Sequence, residues 1–255
     1  MIEHTHQVCD AYVLDIISPQ YYITLTDEGG LLVERKYYEA YDERYKQVHK
    51  ADLCWFESTH SPILEDVIER FGIRKDHKIL EIGCGEGRDA AFLLKGGYDL
   101  LATDVSPEAI HFCRQLLPEN AGHFAVLDCL SQQLDGKFDF IYAIAVIHML
   151  VLDADRTMFY RFVKEHLSDD GIALICSMGD GEREHSSDIS NAFQLQHRLH
   201  EQSGRMLDIA SISCRVVSHN TFTAELVRNG ISIIEQGATA IVPDFPQMIY
   251  AIVRR

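Results

Sequence analysis

The amino-acid sequence predicts an α/β protein: a seven-stranded, mostly parallel sheet with helices on both faces and an antiparallel strand hairpin at its C-terminal end. Three observations carry this. Short apolar runs alternate with amphipathic ones between residues 78 and 177, the order that builds a parallel sheet covered by helices. A turn with Gly83, Gly85 and Gly87 joins an apolar run to a helical one. Two apolar runs, 231–236 and 247–253, follow one another with Pro243 and Pro246 between them, which favours direct antiparallel pairing at a sheet edge.

The elements follow in order. Tyr21 to Thr26 reads as a strand before an Asp27-Glu28-Gly29-Gly30 turn, and residues 31–45 read as a helix with Tyr37, Tyr41 and Tyr45 near one another. Pro62 after Ser61 opens a helix whose stripe is Ile63, Leu64, Val67, Ile68 and Phe71, and Gly72 closes it. The main rhythm is strand 78–82, helix 88–95, strand 98–103, helix 107–117, strands 122–126 and 138–142, helix 155–167 and strand 171–177. Ser106 caps and Pro107 starts one helix, and Gly171 suits the exit from another. Residues 179–218 interrupt this order: 193–203 read as a helix and 205–218 as an extended stretch or hairpin arm. A helix near 221–229 precedes the last two strands.

The 255 residues carry 23 basic and 39 acidic side chains, a formal charge of −16, with no Lys/Arg cluster. Such a surface repels nucleic acid and anionic membranes, so neither is an expected partner. Seven cysteines without a CxxC pair read as reduced thiols. The absence of a secretory apolar core and of any run of about 18 apolar residues points to a cytoplasmic, soluble protein.

The segment Leu80-Glu81-Ile82-Gly83-Cys84-Gly85-Glu86-Gly87-Arg88 turns a strand into a helix through three alternate glycines, which admit backbone geometry and close ligand approach that a side chain would block. Asp104 ends the next apolar run, 23 residues beyond Glu81, the spacing of a carboxylate that accepts hydrogen bonds from ribose hydroxyls. The expected ligand contains an adenosine. Asp128 likewise follows a strand end.

With these residues in place, the chain resembles the class I S-adenosylmethionine-dependent methyltransferases, whose fold is Rossmann-like, and especially their small-molecule branch of tellurite-resistance and thiopurine methyltransferase-like proteins. The resemblance covers roughly residues 50–178. It rests on 79–88, on Gly97 to Ser106, on Phe138-Asp139-Phe140-Ile141-Tyr142, and on Leu167 to Ile175. It implies S-adenosyl-L-methionine as cofactor. Glu81 would orient the glycine loop or approach the cofactor's amino-acid moiety, and Gly83, Gly85 and Gly87 would make room for it. Asp104 would bind the ribose diol and Val105 would line the adenine wall. Asp128 would receive the adenine amino group, beside a backbone donor from Cys129. Ala143 to His148 would form the wall under the methyl group, and Arg88 would contact the cofactor carboxylate or a second acid. Tyr37 and Trp55 would belong to an N-terminal cover. On this reading residues 1–61 are a covering extension and 62–255 the methyltransferase domain, with 179–218 as a substrate cover.

His148, after the fourth strand, is the candidate catalytic base; its bland alternative is a wall residue. His197 and His200 on one helix face, without a cysteine or acid partner, are a weak metal signal, so no metal is expected. Arg198 and Arg205 are the candidates for salt bridges to a polar or anionic substrate. The expected partner is a small-molecule methyl acceptor, with a homodimer left open. Two other readings remain: an NAD-dependent oxidoreductase, against which Arg88 stands where a full GxGxxG fingerprint needs glycine, and a noncatalytic adenosyl-cofactor-binding regulatory protein.

Overall fold

The computed structural model describes residues 22–26, 32–55, 59–239 and 247–255. The chain divides into two units, one ending at Lys36 and the other running from Tyr37 to Arg255.

In the first unit, β1 (Tyr22–Thr26) pairs antiparallel with β2 (Leu32–Lys36), with Tyr22 opposite Lys36 and Thr26 opposite Leu32. The expected strand at 21–26 is present over 22–26, whereas the helix expected from residue 31 begins only after β2; residue 21 and the stretch 27–31 lie outside the described residues. Val33 and the residues around it satisfy their backbone by pairing with β1, which overrides the helical spacing of the tyrosines further on.

The second unit starts with a short 3-10 turn, Tyr37–Glu39, and α1 (Ala40–Lys50). α2 (Pro62–Phe71) begins with its proline and ends at Gly72 in the left-handed region, φ 63°, as its sequence dictates. Then come β3 (Lys78–Ile82), α3 (Arg88–Lys95), β4 (Asp99–Asp104), α4 (Pro107–Leu116), β5 (Phe124–Val126), β6 (Phe138–Ile144), α5 (Asp153–His166) and β7 (Leu167–Met178). The Ser106 hydroxyl caps α4 by accepting the Ala109 N–H at 3.0 Å. Gly171 lies inside β7 rather than before it. Leu167 already pairs with Phe138, and the register then shifts so that Ile172 faces Phe140. A Cβ at Gly171 would lie 2.9 Å from the Phe138 carbonyl oxygen, so a bulge and not a helix exit requires this glycine.

After β7, β8 (His185–Ser186) pairs with β11 (Arg215–Val216), and β9 (Leu195–His200) pairs with β10 (Arg205–Ala210). The helix expected at 193–203 is therefore a strand hairpin. α6 (His219–Arg228), β12 (Ser232–Thr239) and β13 (Met248–Arg254) complete the chain.

The seven-stranded sheet has the order β12-β13-β7-β6-β3-β4-β5. β5, β4, β3, β6 and β7 run parallel, while β13 is antiparallel to both β7 and β12, the edge hairpin expected from the sequence. Helices flank the sheet, and its core includes Ile79, Phe140, Tyr142, Leu174 and Ile252, all fully or almost fully buried. The chain leaves β3 toward β4 and β5, then returns to place β6 on the other side of β3. Such a reversal opens a crevice at the carboxyl ends of the strands.

Candidate cofactor and acceptor site

The carboxyl ends of β3 and β4 are tied together before any ligand is considered. The N–H groups of Gly83 and Cys84 donate to the Thr103 carbonyl at 2.7 and 2.9 Å, and the Thr103 hydroxyl donates to the Glu81 carbonyl at 2.7 Å. Gly83, Gly85 and Gly87 all have positive φ (74°, 53° and 83°), so the turn requires glycine on conformational grounds. Close approach requires it as well: a Cβ at Gly83 would stand 2.4 Å from a Val146 methyl, and one at Gly85 would stand 2.8 Å from the Tyr45 hydroxyl.

Asp104 ends β4 with both oxygens held. One accepts the Gly85 N–H at 2.8 Å and the other the Ser106 N–H at 2.8 Å. Burial raises its pKa, against the two backbone donors that oppose the shift. Glu81 lies one strand over and is almost fully buried. Burial, reinforced by the Asp89 carboxylate, pushes its pKa well up, and its Oε2 has no hydrogen-bond partner among the described residues. The Tyr142 hydroxyl interacts with the same carboxyl group and opposes that rise.

Beside the turn lies a cavity of about 90 Å³ lined by Ile82, Gly83, Asp104, Val105, Leu127, Asp128, Cys129 and Leu130 from the sheet rim, by Val146, Met149 and Leu150 from the wall after β6, and by Tyr38, Tyr41 and Tyr45. Asp128 accepts the Tyr38 hydroxyl at 3.2 Å, the Leu130 N–H at 3.0 Å and the Ser131 hydroxyl at 2.7 Å. Burial raises the Cys129 thiol pKa, with the Asp128 charge adding to it, so the thiol is neutral. Adenosyl ligands need a larger space than this; the Tyr45 hydroxyl fills part of the glycine cradle. A second hollow of about 300 Å³ opens at the amino ends of β3 and β4, lined by Lys78, Asp99, His123, Asp135 and Lys137. Its charged side chains of both signs are exposed, and it is at the wrong end of the sheet for the glycine turn.

Helix α1 is fastened over this cleft. Asp42 accepts the Ser106 hydroxyl at 2.7 Å, the Glu108 N–H at 3.1 Å and Lys46 Nζ at 2.7 Å, placing a carboxylate at the start of α4 where the helix dipole favours it. His49 meets Glu108 through Nδ1 at 2.8 Å and Glu86 through Nε2 at 2.9 Å, and its ring stacks on Phe112 at 4.8 Å. Neither Asp42 nor His49 stood out in the sequence. Asp42 occupies the same helix as the tyrosines, and that proximity was the only signal.

Several expected site residues lie elsewhere. Tyr37 does not line the cavity: its hydroxyl donates to Asp155 at 2.7 Å and accepts the Val151 N–H at 2.9 Å, and burial raises its pKa. Its neighbour Tyr38 faces the cleft instead. Trp55 is outside the cavity lining, 6.1 Å from the Tyr45 ring and 6.0 Å from the His200 ring. Ala143 is fully buried within β6, and of the 143–148 wall only Val146 reaches the cavity. Arg88 turns to the acid alternative: it donates to the Ser61 hydroxyl at 3.1 Å and lies 3.7 Å from Asp89, which itself accepts the Ser61 N–H and hydroxyl at 2.6 and 2.8 Å.

His148 sits in the 3-10 turn Ile147–Met149, buried and absent from the cavity lining, with Nδ1 3.5 Å from the Met178 N–H. Burial, with the nearby Arg156 charge, depresses its pKa to about 4, so the ring is neutral at physiological pH. The turn is held from behind by Arg156, which donates to the Ile147 and Leu150 carbonyls at 2.7 and 3.2 Å and pairs bidentately with Glu225 at 2.8 and 2.6 Å.

In the 179–218 segment, His197 pairs with Asp208 at 2.8 Å on one face of the hairpin, while His200 is on the other, 3.0 Å from the Cys54 carbonyl oxygen. Residues three apart on a strand point oppositely, so the two histidines do not converge. No cluster of metal-ligating side chains occurs among the described residues. Arg205 donates to the Ala51 carbonyl at 2.9 Å, closing the end of α1.

The residues fit the adenosine end of the implied cofactor: Asp104 and Val105 stand at one strand end, Asp128 and Cys129 at the next, and the Glu81 oxygen and glycine cradle beside them.

Comparison with known proteins agrees with this geometry. Residues 80–173 match a family model described as a methyltransferase domain. Hemagglutinin 1 of Eikenella corrodens is 34% identical over 109 residues, 40% of this chain and 35% of that protein. A probable S-adenosyl-L-methionine-dependent methyltransferase, TehB of Haemophilus influenzae, is 26% identical over 113 residues, 43% of this chain and 39% of that protein. The matches thus span little more than a third of these relatives. A solved structure of the 1,6-didemethyltoxoflavin-N1-methyltransferase of Burkholderia thailandensis, with 1,6-didemethyltoxoflavin and S-adenosylhomocysteine bound, superposes with a TM-score of 0.61 at 15% identity, covering 86% of this chain and 88% of that one. Sheet order, glycine turn and matched domain together give this chain the class I S-adenosylmethionine-dependent methyltransferase fold, with the TehB-like branch as one of several relatives.

Proposed function

We propose that the protein transfers the methyl group of S-adenosyl-L-methionine to a small-molecule acceptor and releases S-adenosylhomocysteine. The observation that carries this reading is the convergence of Gly83 of the glycine turn, Asp104 and Asp128 on one cleft beneath three tyrosines. When bound, S-adenosylmethionine supplies an electrophilic methyl group on a sulfonium. The chain's own work is to bind, orient and exclude water. Asp104 accepts from ribose hydroxyls, Asp128 and the Cys129 backbone hold the adenine edge, and Glu81 faces the amino-acid moiety. Tyr38, Tyr41 and Tyr45 close the cleft against solvent, and Val146, Met149 and Leu150 form its apolar wall. An amine or thiol acceptor arriving deprotonated needs no dedicated base, which suits a His148 held neutral behind the wall. The −16 charge argues for a small acceptor over nucleic acid.

Calorimetric titration with S-adenosylhomocysteine, alongside NADH, tests the reading. One-site binding of the first with no response to the second is expected, followed by acceptor-dependent loss of the methyl group from S-adenosylmethionine. Selective NADH binding would overturn it in favour of a dehydrogenase.

A further inference from the structure

In a protein with a net charge of −16, basic side chains usually find carboxylates. Arg44, on α1, does not. Its Nη1 is buried without a hydrogen-bond partner, and its guanidinium makes no hydrogen bond or ion pair to any described residue. Its guanidinium lies over the face of Trp55, 5.0 Å from the ring centroid. Burial lowers the Arg44 pKa, and the neighbouring Arg198 charge lowers it further. Arg198 is also without an ion pair among the described residues.

The register explains why these two meet. Arg198 is opposite Leu207 and Gln196 is opposite Ile209, so Arg198 shares a hairpin face with His200 and Ile209, both buried. The hairpin is docked on α1: Ala210 donates its N–H to Gln47 Oε1 at 2.6 Å, and Arg205 reaches Ala51. The docked hairpin therefore carries the exposed Arg198 charge to the Arg44 side of α1, and neither guanidinium has an ion pair among the described residues. Burying the Arg44 Nη1 without a hydrogen-bond partner is costly, and the fold adds the charge of the exposed Arg198 near it.

This place adjoins the cofactor cleft. Tyr41, which lines the cleft, feels the Arg44 charge and donates its hydroxyl to the Ser213 carbonyl at 3.3 Å. The buried Ser213 hydroxyl has no partner among the described residues. From the glycine turn outward the order is Gly85, the Tyr45 hydroxyl, the Tyr45 ring, Trp55 and Arg44. Two aromatic rings, Tyr45 and Trp55, separate the guanidinium from the cradle.

We infer that Arg44 and Arg198 form the anion-recognition end of the acceptor site, so that the acceptor is a small organic acid whose apolar body lies along Trp55 and the tyrosines. The words acceptor site rest on the methyl-transfer reading; the anion site itself does not. Guanidinium groups favour planar, bidentate oxyanions, and Ser213 offers a further hydroxyl.

The test is calorimetric titration of the full chain, at constant ionic strength, with benzoate, phenyl phosphate and the neutral benzamide, each with and without saturating S-adenosylhomocysteine. At least one anion should bind saturably and benzamide should not. Arg44→Gln and Arg198→Gln should each weaken that anion by about tenfold or more, the scale of a lost charged contact, while Arg44→Lys retains part of the affinity. Thermal unfolding of each variant checks that it folds, and Arg198→Gln, on an exposed strand, supplies an arm independent of α1. Failure of both anions to saturate, equal binding of benzamide, or unchanged affinity in both glutamine variants would overturn the inference. So would an Arg44→Gln chain that loses S-adenosylhomocysteine but keeps the anion, which would assign Arg44 to the cofactor carboxylate. Anion binding in a wild-type chain that ignores S-adenosylhomocysteine would instead overturn the methyl-transfer reading and leave the anion site standing.

Discussion

Both oxygens of Asp104 accept backbone N–H groups, one from the glycine turn and one from the start of α4. The carboxylate thus shapes the loop and still presents lone pairs to the cleft. Asp104→Ala should weaken S-adenosylhomocysteine at least tenfold, consistent with about 1.5–3 kcal/mol for hydrogen bonds to a charged group, as read by calorimetry. His148 makes a different prediction. Its folded pKa, about 4, lies below the ordinary 6.5, so its contribution to stability is complete above pH 6.5. It is lost as pH falls toward 4, where the unfolded chain binds a proton that the folded chain refuses. The loss is on the order of 3 kcal/mol over that window. Urea unfolding across the window should show a shallower acid limb for His148→Gln. At this scale the sequence was informative about the glycines and acids, whose strand-end positions follow from spacing alone. It could not choose between Tyr37 and Tyr38, because the 3-10 turn at 37–39 breaks the helical periodicity that ranked them.

Among the elements, α1 has the largest consequence for the cleft. Asp42 and His49 pin it to α4 and the glycine turn, and Tyr45 reaches the Gly85 α-carbon region. An adenosyl cofactor is larger than a cleft of about 90 Å³, so its proposed binding requires this layer to give way and lowers the apparent affinity by the open fraction. Tyr45→Ala should therefore raise the association rate of S-adenosylhomocysteine by about fivefold or more, measured by stopped-flow fluorescence of Trp55. An unchanged rate would mean that Tyr45 is not the closing group. The β9–β10 hairpin teaches a similar lesson. Leu195, Leu199 and Met206 remain exposed, so no buried stripe disciplined the pattern, and a helix over 193–203 was as consistent with the letters as the strand observed.

Across the whole second unit, the buried Arg156–Glu225 pair joins α5 to α6, and the same guanidinium holds the wall turn through two carbonyls. Tyr160 adds a hydrogen bond to Glu225 at 2.8 Å. Arg215, from β11, donates to the Val151 carbonyl at 2.9 Å and to Asp153 at 2.6 Å, so the 179–218 segment also grips the end of the wall. Arg156 and Glu225 are 1% and 3% exposed, deep enough that removing one partner strands the other. Glu225→Ala should cost about 3–5 kcal/mol, measured by denaturant unfolding, with a loss of only a few tenths expected had the pair been at the surface.

The sequence alone determined the sheet, its edge hairpin and the rim where Asp104 and Asp128 stand, because strand alternation, glycine turns and strand-end acids are local or depend on fixed spacing. Tertiary structure decided which side chains face the cleft. Tyr38 displaced Tyr37, Val146 alone of residues 143–148 reached the cavity, and His148 was turned into the core. It also brought Arg44 to Arg198, 154 residues away along the chain. No local rule links a helix to a strand so distant; only packing α1 against the β9–β10 hairpin brings the Arg198 charge within electrostatic reach of Arg44.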